Sequence, residues 1–318
     1  MNTAESVLGM LREKEKASGE AIARSLKVSR TAVWKAINGL RELGYVIDGD
    51  PKGYHLARAP DLLHPFELRP LLMTKIFGSK IEHHMTIGST NERARELAED
   101  GWPDGSFVVS EAQETGKGRL GREWSSPRGG IWFSLILRPE MRPSEAPTLT
   151  LAGGTAVAEA LVKAGFDAKL KWPNDVLIDE KKVCGILTEM SGEMERINYI
   201  VMGIGINANC KVVDLPKEVR ARATTLLEVR DSPVDRKALL VDILSAFEDL
   251  YGLGIEGIIS RWRKLSGTLG RCVRVHTQKE DLEGVATDLD ATGALILELP
   301  SGERRTIYSG DCEHLRDA

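Results

Sequence analysis

The chain has 318 residues, 42% of them apolar and 28% charged, with a formal net charge of −4. That length and balance suit two or three globular domains with a sizeable core, and no apolar run approaches membrane-spanning length. Four scattered cysteines, Cys184, Cys210, Cys272 and Cys312, lack C-x-x-C spacing, which argues against a zinc site or disulfide framework and for reduced thiols in a cytoplasmic protein.

The first segment, Met1 to Lys16, is charged and amphipathic, unlike a signal peptide. Residues 1–58 hold ten Lys/Arg against seven Asp/Glu, +3 within an overall −4, so the remainder carries −7. A basic N-terminal segment on an acidic body fits attraction to nucleic acid. Val7, Leu8, Met10 and Leu11 give a first helix its apolar stripe. Ser18 caps a second, with Ala21, Ile22 and Leu26 in its core. Ser29 caps a third, in which Val33, Ala36, Ile37 and Leu40 follow the spacing of one buried face. Gly44 ends it, and strands at 45–47 and 54–56 flank the turn Asp48 to Gly53. This is the order of a winged helix-turn-helix. Opposite the core stripe of the third helix stand Arg30, Thr31, Trp34, Lys35, Asn38 and Arg41, donors suited to base edges and phosphates, with Ser29 at its start and Lys52 at the wing tip. An exposed tryptophan on a polar face speaks against an ordinary solvated helix surface.

Arg58 to Asp61 marks a linker, and Leu62 to Phe77 reads as a short connecting helical region. His83 and His84 are adjacent, so on a strand they point to opposite faces and cannot share a metal. Gly88-Ser89-Thr90-Asn91 ends a strand and starts a helix, Glu92 to Glu99, with Ser89 or Thr90 as its cap. The run Gly116-Lys117-Gly118-Arg119-Leu120-Gly121-Arg122-Glu123-Trp124 follows, mixing permissive glycines with three cations. It satisfies G-x-G-x-x-G, but that fingerprint needs a helix opening at the glycines, and Ser125 to Gly130 breaks any helix. A basic loop that grips an anion is favoured over a solvated turn. Beyond it come a helix over 148–164 and the run Lys171-Trp172-Pro173-Asn174-Asp175 before Val176-Leu177-Ile178. Lys181-Lys182 then precedes the strand Val183 to Leu187, in which Gly185 lies, and Gly203-Ile204-Gly205-Ile206-Asn207 ends the apolar strand from Tyr199. A helix over 236–253 leads to a β-rich end, with strands at 272–275, 283–289, 294–299 and 305–308 that suggest a small barrel.

Four such runs in this order resemble the biotin–protein ligase family, in the bacterial bifunctional form that is also the biotin-operon repressor. The likeness covers nearly the whole chain. It implies an α+β chain in three parts: a winged helix-turn-helix over 1–62, a mixed α/β ligase domain over 63–267, and a small SH3-like β domain over 268–318. It also implies the reaction. Biotin carboxylate attacks the α-phosphate of MgATP to give biotinoyl-adenylate and pyrophosphate, and a lysine of a biotin carboxyl carrier domain then attacks the acyl carbonyl. Biotin and ATP with Mg2+ are thus the small ligands, and the metal travels with ATP without protein ligands of its own. The partners are the carrier, operator DNA and a second copy of the chain, favoured by biotinoyl-adenylate, with no membrane.

By the same likeness Lys182 is the main catalytic cation, touching both the biotin carboxylate and the α-phosphate, while Lys181 faces solvent. Arg119 shares the catalytic role, and with Lys117 holds the adenylate under a loop that closes against water. Ser89, Thr90, Asn91, Gln113, Lys117, Gly118, Arg119, Lys182, Gly185 and Gly203 match biotin-site positions. Gly116, Lys117, Arg119, Arg122, Trp124, Asn174, Asp175, Lys182 and Asn207 belong to the nucleotide end. Two departures stand out. Lys117 replaces an arginine found in some members and cannot make a bidentate contact. Ala223 stands where a well-known member stacks a tryptophan on adenine. A lipoate–protein ligase would lack the run from Lys171 to Asp175 and would not need the winged helix. A transcription factor that only senses ligand would not need Lys182, Arg119 and the glycine loop.

Overall fold

The computed structural model describes residues 3–193 and 195–315. The chain divides after Leu62 into two compact units. In the first, α1 (Thr3–Glu13), α2 (Gly19–Leu26) and α3 (Arg30–Glu42) bury Val7, Leu8, Leu11, Ile22, Ala23, Val33, Ile37 and Leu40. Met10, Ala21, Leu26 and Ala36, expected in this core, are only partly buried, and Ala23 was missed. The Ser18 and Ser29 hydroxyls accept from Ala21 N and Ala32 N, each at 3.1 Å, and so satisfy donors that a helix start leaves open. The wing is tighter than its sequence predicts: β1 (Val46–Asp50) and β2 (Gly53–Arg58) leave only Pro51 and Lys52 between them. Asp50 makes that possible by accepting from the amides of Lys52 (2.7 Å) and Gly53 (3.1 Å).

The larger unit opens with a single turn, α4 (Pro65–Leu68), where a helical region over 62–77 was expected; residues 69–80 run on as turns, bends and irregular chain instead. Next come β3 (Ile81–His84), α5 (Thr90–Glu99), β4 (Ser106–Ser110), β5 (Ile131–Leu137), α6 (Pro147–Lys163), β6 (Lys169–Lys171), β7 (Asp175–Ile178), β8 (Lys181–Gly192) and β9 (Ile197–Ile206). The strands form one seven-stranded sheet in the order β3-β4-β5-β9-β8-β7-β6, with only β3 and β4 parallel. Short helices α7 (Lys217–Arg220) and α8 (Leu226–Arg230) precede α9 (Arg236–Tyr251) and α10 (Ile255–Leu265).

Alternation along β9 gives the sheet two different faces. Met202, Ile204 and Ile206 join the main core with α6, α9 and α10, whereas Tyr199 and Val201 pack with Ala94 and Leu97 of α5. Gly203 and Gly205 share the α5 face. Because α5 covers only part of it, the rest is open for a site.

The C-terminal strands β10 (Cys272–His276), β11 (Asp281–Leu289), β12 (Leu295–Glu298), β13 (Arg304–Ile307) and β14 (Asp311–His314) make an antiparallel sheet in the order β13-β12-β11-β10-β14. No ladder joins β13 to β14 among the described residues. Val273, Val275, Leu295 and Leu297 share the main apolar cluster, so this sheet packs within the same compact unit as the seven-stranded one.

Candidate functional site

The open part of the α5 face is a cavity of about 1000 Å³. All four sequence runs reach it: Ser89 to Asn91 at the start of α5, the glycine loop, the run from Lys171 to Asp175 with Lys182, and Gly203 to Asn207. Its floor is made of glycine. Gly185 of β8 pairs directly with Gly205 of β9, and the Trp124 indole lies so close over both that a Cβ on Gly205 would strike it and one on Gly185 would press it aside. Trp124 also meets the Trp132 ring edge-on, with centroids 6.5 Å apart. Gly205 went unnoticed as a site residue. Its position two residues after Gly203, on the same side of one strand, was the available signal.

Lys182 enters from the start of β8. Its amine lies 2.6 Å from Asp175 and 5.1 Å from the Trp124 ring centroid, so a carboxylate and an aromatic face both hold the cation. Asp175 Oδ1 is out of line for a hydrogen bond, and we read the contact as an ion pair. The Lys182 backbone does separate work: its N–H donates to Arg222 O (2.8 Å) and its carbonyl accepts from Thr224 N (3.0 Å). Ala223 is thereby held beside Lys182, and Leu215, Pro216 and Val219 present apolar surface to the same cavity.

The glycine loop contains one 3-10 turn, Arg119–Gly121, and no α-helix opens at its glycines. Lys117 pairs with Glu92 at 2.5 Å. Arg119 donates to Asn174 Oδ1 (3.0 Å) and Gly310 O (3.2 Å), and Arg122 pairs with Asp311. Two loop cations are thus tied to Gly310 and Asp311 at the start of β14, a contact the sequence did not announce. Asn174 is fixed in turn by donating to Ile186 O at 2.8 Å.

At the other end, Ser89 holds the N-cap position of α5 without a side-chain cap bond. Gln113 Oε1 accepts from Thr90 N (2.8 Å) and Thr90 Oγ1 (2.9 Å), and its Nε2 donates to Ser126 Oγ (2.7 Å). Ser134, on β5 opposite Gly203, lies 2.7 Å from Thr90 Oγ1 and 2.6 Å from Asn91 Oδ1. Asn91 fills the space a side chain at 203 would take. Gly203→Ala should therefore destabilise the protein by about 1–3 kcal/mol, the usual cost of overpacking a close-fitted interior. Urea unfolding checks this, and an unchanged midpoint would show that Asn91 yields freely.

Besides Asp175 Oδ1, which has only its ion pair with Lys182, two more buried polar atoms on the cavity wall lack a hydrogen-bond partner: Trp124 Nε1, a donor, and Asn207 Oδ1, an acceptor. Asn207 is 3% exposed, and its Nδ2 already donates to Thr224 O at 3.1 Å. Orphaned groups of this kind are what a polar ligand would satisfy. Gly116 and Gly118 line the cavity beside them.

In the smaller unit, Arg30, Thr31 and Trp34 line a cleft between α3 and the wing, with Trp34 55% exposed. Lys35 and Lys52 are exposed. Ser29 serves as the cap of α3. Arg41 differs from the other donors expected to reach DNA: its guanidinium donates to Ile47 O at 2.6 Å and so braces α3 against β1.

Comparison with known proteins matches residues 84–207 to the biotin/lipoate A/B protein ligase family, residues 3–55 to an HTH domain family, and residues 268–315 to the biotin protein ligase C terminal domain. The chain is 39% identical over 303 residues to the bifunctional ligase/repressor BirA of Bacillus subtilis, covering 93% of each chain. It is 32% identical to the protein of the same name from Escherichia coli, covering 92% of this chain and 91% of that one. Among solved structures, the biotin protein ligase from Aquifex aeolicus in complex with biotin and ATP aligns with a TM-score of 0.64 and 31% identity, over 75% of this chain and 100% of that one.

Proposed function

This chain belongs to the biotin–protein ligase family, and on that premise we propose how its residues divide the work of a bifunctional ligase and repressor. The protein is an ATP-dependent biotin ligase that modifies a biotin carrier protein, and a repressor that binds operator DNA through its helix-turn-helix. The observation that best supports a working enzyme is the gathering of four separate runs around one cavity, with the Lys182 amine held between Asp175 and the Trp124 face.

In the first step the biotin carboxylate oxygen bonds to the α-phosphorus of MgATP and pyrophosphate leaves. Two anions meet and charge gathers on phosphorus, so a fixed cation lowers the barrier. Lys182 supplies it once substrate carboxylate and phosphate oxygens compete with Asp175. Arg119 and Lys117 hold the adenylate, and the loop that carries them keeps water from the mixed anhydride. The biotin ring lies by Thr90, Asn91, Gln113 and Ser89, with Gly185 and Gly203 leaving room. Asn207 Oδ1, being a free acceptor, suits the amino group of adenine and would face a carbonyl on guanine. Leu215, Pro216 and Val219 give the base an apolar wall where Ala223 offers no ring. In the second step the carrier lysine amine attacks the acyl carbonyl, loses a proton, and AMP leaves.

For repression, Arg30, Thr31, Trp34, Lys35 and Lys52 contact the operator, and biotinoyl-adenylate favours a homodimer that presents two α3 helices to a two-fold site. The sheet offers an edge for such a dimer. Beyond Gly185, β8 runs on to Gly192 with β9 on one side and no strand on the other among the described residues. An unpaired edge of this kind accepts a second strand. The carrier would compete for the same edge.

The test is pyrophosphate exchange with ATP and candidate acids, then sedimentation with and without biotinoyl-adenylate. Exchange with biotin, and not with lipoate, is expected, along with a shift from monomer to dimer. Absence of biotin-dependent exchange would remove the catalytic assignment, and an unchanged monomer fraction would remove the dimer.

A further inference from the structure

A line of side chains leads from the cavity to the protein surface, and its far end is a charge. Gln113 bonds Thr90, Thr90 bonds Ser134, Ser134 bonds Asn91, and Asn91 Nδ2 donates to Glu189 Oε2 at 2.6 Å. Thr90, Asn91 and Ser134 are buried, at 3%, 5% and 0% exposure. Glu189 is exposed, on β8 two residues beyond Leu187, and does not line the cavity.

Proton counting fixes the direction of this line from Glu189 as far as Ser134. An ionised carboxylate only accepts hydrogen bonds. Facing Glu189, the Asn91 amide must present its NH2 and turn its carbonyl to Ser134. Ser134 has one proton, so it donates to Asn91 Oδ1 and can only accept from Thr90. Thr90 has one hydroxyl proton for either Ser134 Oγ or Gln113 Oε1, and its backbone N–H keeps it joined to Gln113 in both cases. Reversing the Asn91 amide would put a donor against the Ser134 hydroxyl and turn that hydroxyl's proton from Asn91 to Thr90.

We infer that Glu189 is a positioning residue for biotin: from outside the cavity it sets the orientation of the Asn91 amide and of the Ser134 hydroxyl behind it. This rests on the assignment of Thr90, Asn91 and Gln113 to the biotin site. Glu189 does not line the cavity for biotin and ATP, and acts on it only through Asn91. The role belongs to its acceptor character and owes little to its bulk.

That distinction makes the inference testable on the full-length chain, by titration calorimetry with biotin and by steady-state adenylation. Glu189→Gln can still turn an acceptor to Asn91 and should bind biotin nearly as the parent does. Glu189→Ala should bind more weakly. Glu189→Lys offers only donors, forces the amide round, and should weaken biotin about tenfold or more, on the scale of a hydrogen bond to a charged group. The KM for biotin should rise, while kcat and the KM for ATP stay near parental values. In an Asn91→Ala background the Lys substitution should add nothing, because the group it acts through is gone. Equal affinity in the Lys, Ala and Gln variants overturns the inference, as does a Lys effect that survives Asn91→Ala. If Glu189→Lys folds poorly, the alanine variant, which needs no extra room, decides the same question against the glutamine one. A parent protein that fails to bind biotin would instead overturn the functional assignment itself, so the two failures are distinct.

Discussion

Lys182→Ala should leave the protein folded and cut biotin adenylation by about a hundredfold or more, the loss typical when one fixed charge is removed from a reacting centre. The fold tolerates the change because the Lys182 side chain is 32% exposed and its pairing with Asp175 lies at a cavity wall, where an ion pair contributes little. The contacts that organise the neighbouring loop come from the Lys182 backbone, through Arg222 and Thr224, and alanine keeps them. Chemistry and architecture therefore separate at this residue. Pyrophosphate exchange measures the first and thermal unfolding the second. Near-parental exchange would exclude Lys182 from the mechanism.

The second large effect concerns stability. Arg236 and Glu111 are both almost fully buried, with Nη2 and Oε2 2.9 Å apart, and Arg236 also donates to Gly130 O at 2.7 Å. Glu111 Oε1 accepts from Leu63 N (2.7 Å) and lies 3.2 Å from His83 Nε2. Arg236→Met should cost about 3–5 kcal/mol, because it strands a buried carboxylate. Burial alone would raise the Glu111 pKa, but the His83 bond, the Arg236 charge and the Leu63 amide outweigh it and hold the group below the ordinary carboxyl value. Nearby, burial and then His83 push His64 down to about 4 from an ordinary 6.5.

The signs follow by linkage. For His64 the unfolded chain takes up a proton first, so stability falls as pH drops from 6.5 towards 4. For Glu111 the contribution is present above the ordinary carboxyl pKa and disappears as pH falls through its depressed folded value. Urea titrations at pH 7, 5 and 3.5 should show the parent losing stability at each step. Arg236→Met should be weaker at pH 7 and lose less on going to pH 3.5. Parallel pH curves would mean that Arg236 does not hold the Glu111 charge.

Local chemistry made much of this molecule legible in advance. The caps at Ser18 and Ser29, the α3 stripe except Ala36, and the four site runs each depend on residues a few positions apart, and these form the elements expected. What stayed hidden depends on register. The Gly185–Gly205 floor exists because β8 and β9 pair with that alignment, which neither strand states by itself. The Glu111–Arg236 pair joins residues 125 apart, each an unremarkable charge in its own segment. The anchoring of Arg119 and Arg122 at Gly310 and Asp311 likewise needs the C-terminal sheet in place. The helical region expected over 62–77 shrinks to the one turn that Pro65 starts: of the apolar residues that follow, Leu72 and Phe77 pack against the core while Leu71, Met73 and Ile76 stay exposed, so no continuous helical stripe is buried.

Leu63 is the first residue of the larger unit, and its amide N–H is already committed to Glu111. Anyone excising the enzyme from its helix-turn-helix must respect that proton. A cut that made residue 63 the new amino terminus would turn a neutral amide donor into an ammonium group at a site with 0% exposure. It would add a second cation beside Arg236 and couple folding to the pH of the buffer. Beginning the excised chain upstream, at the exposed Asp61, keeps the amide and leaves the new charge in solvent.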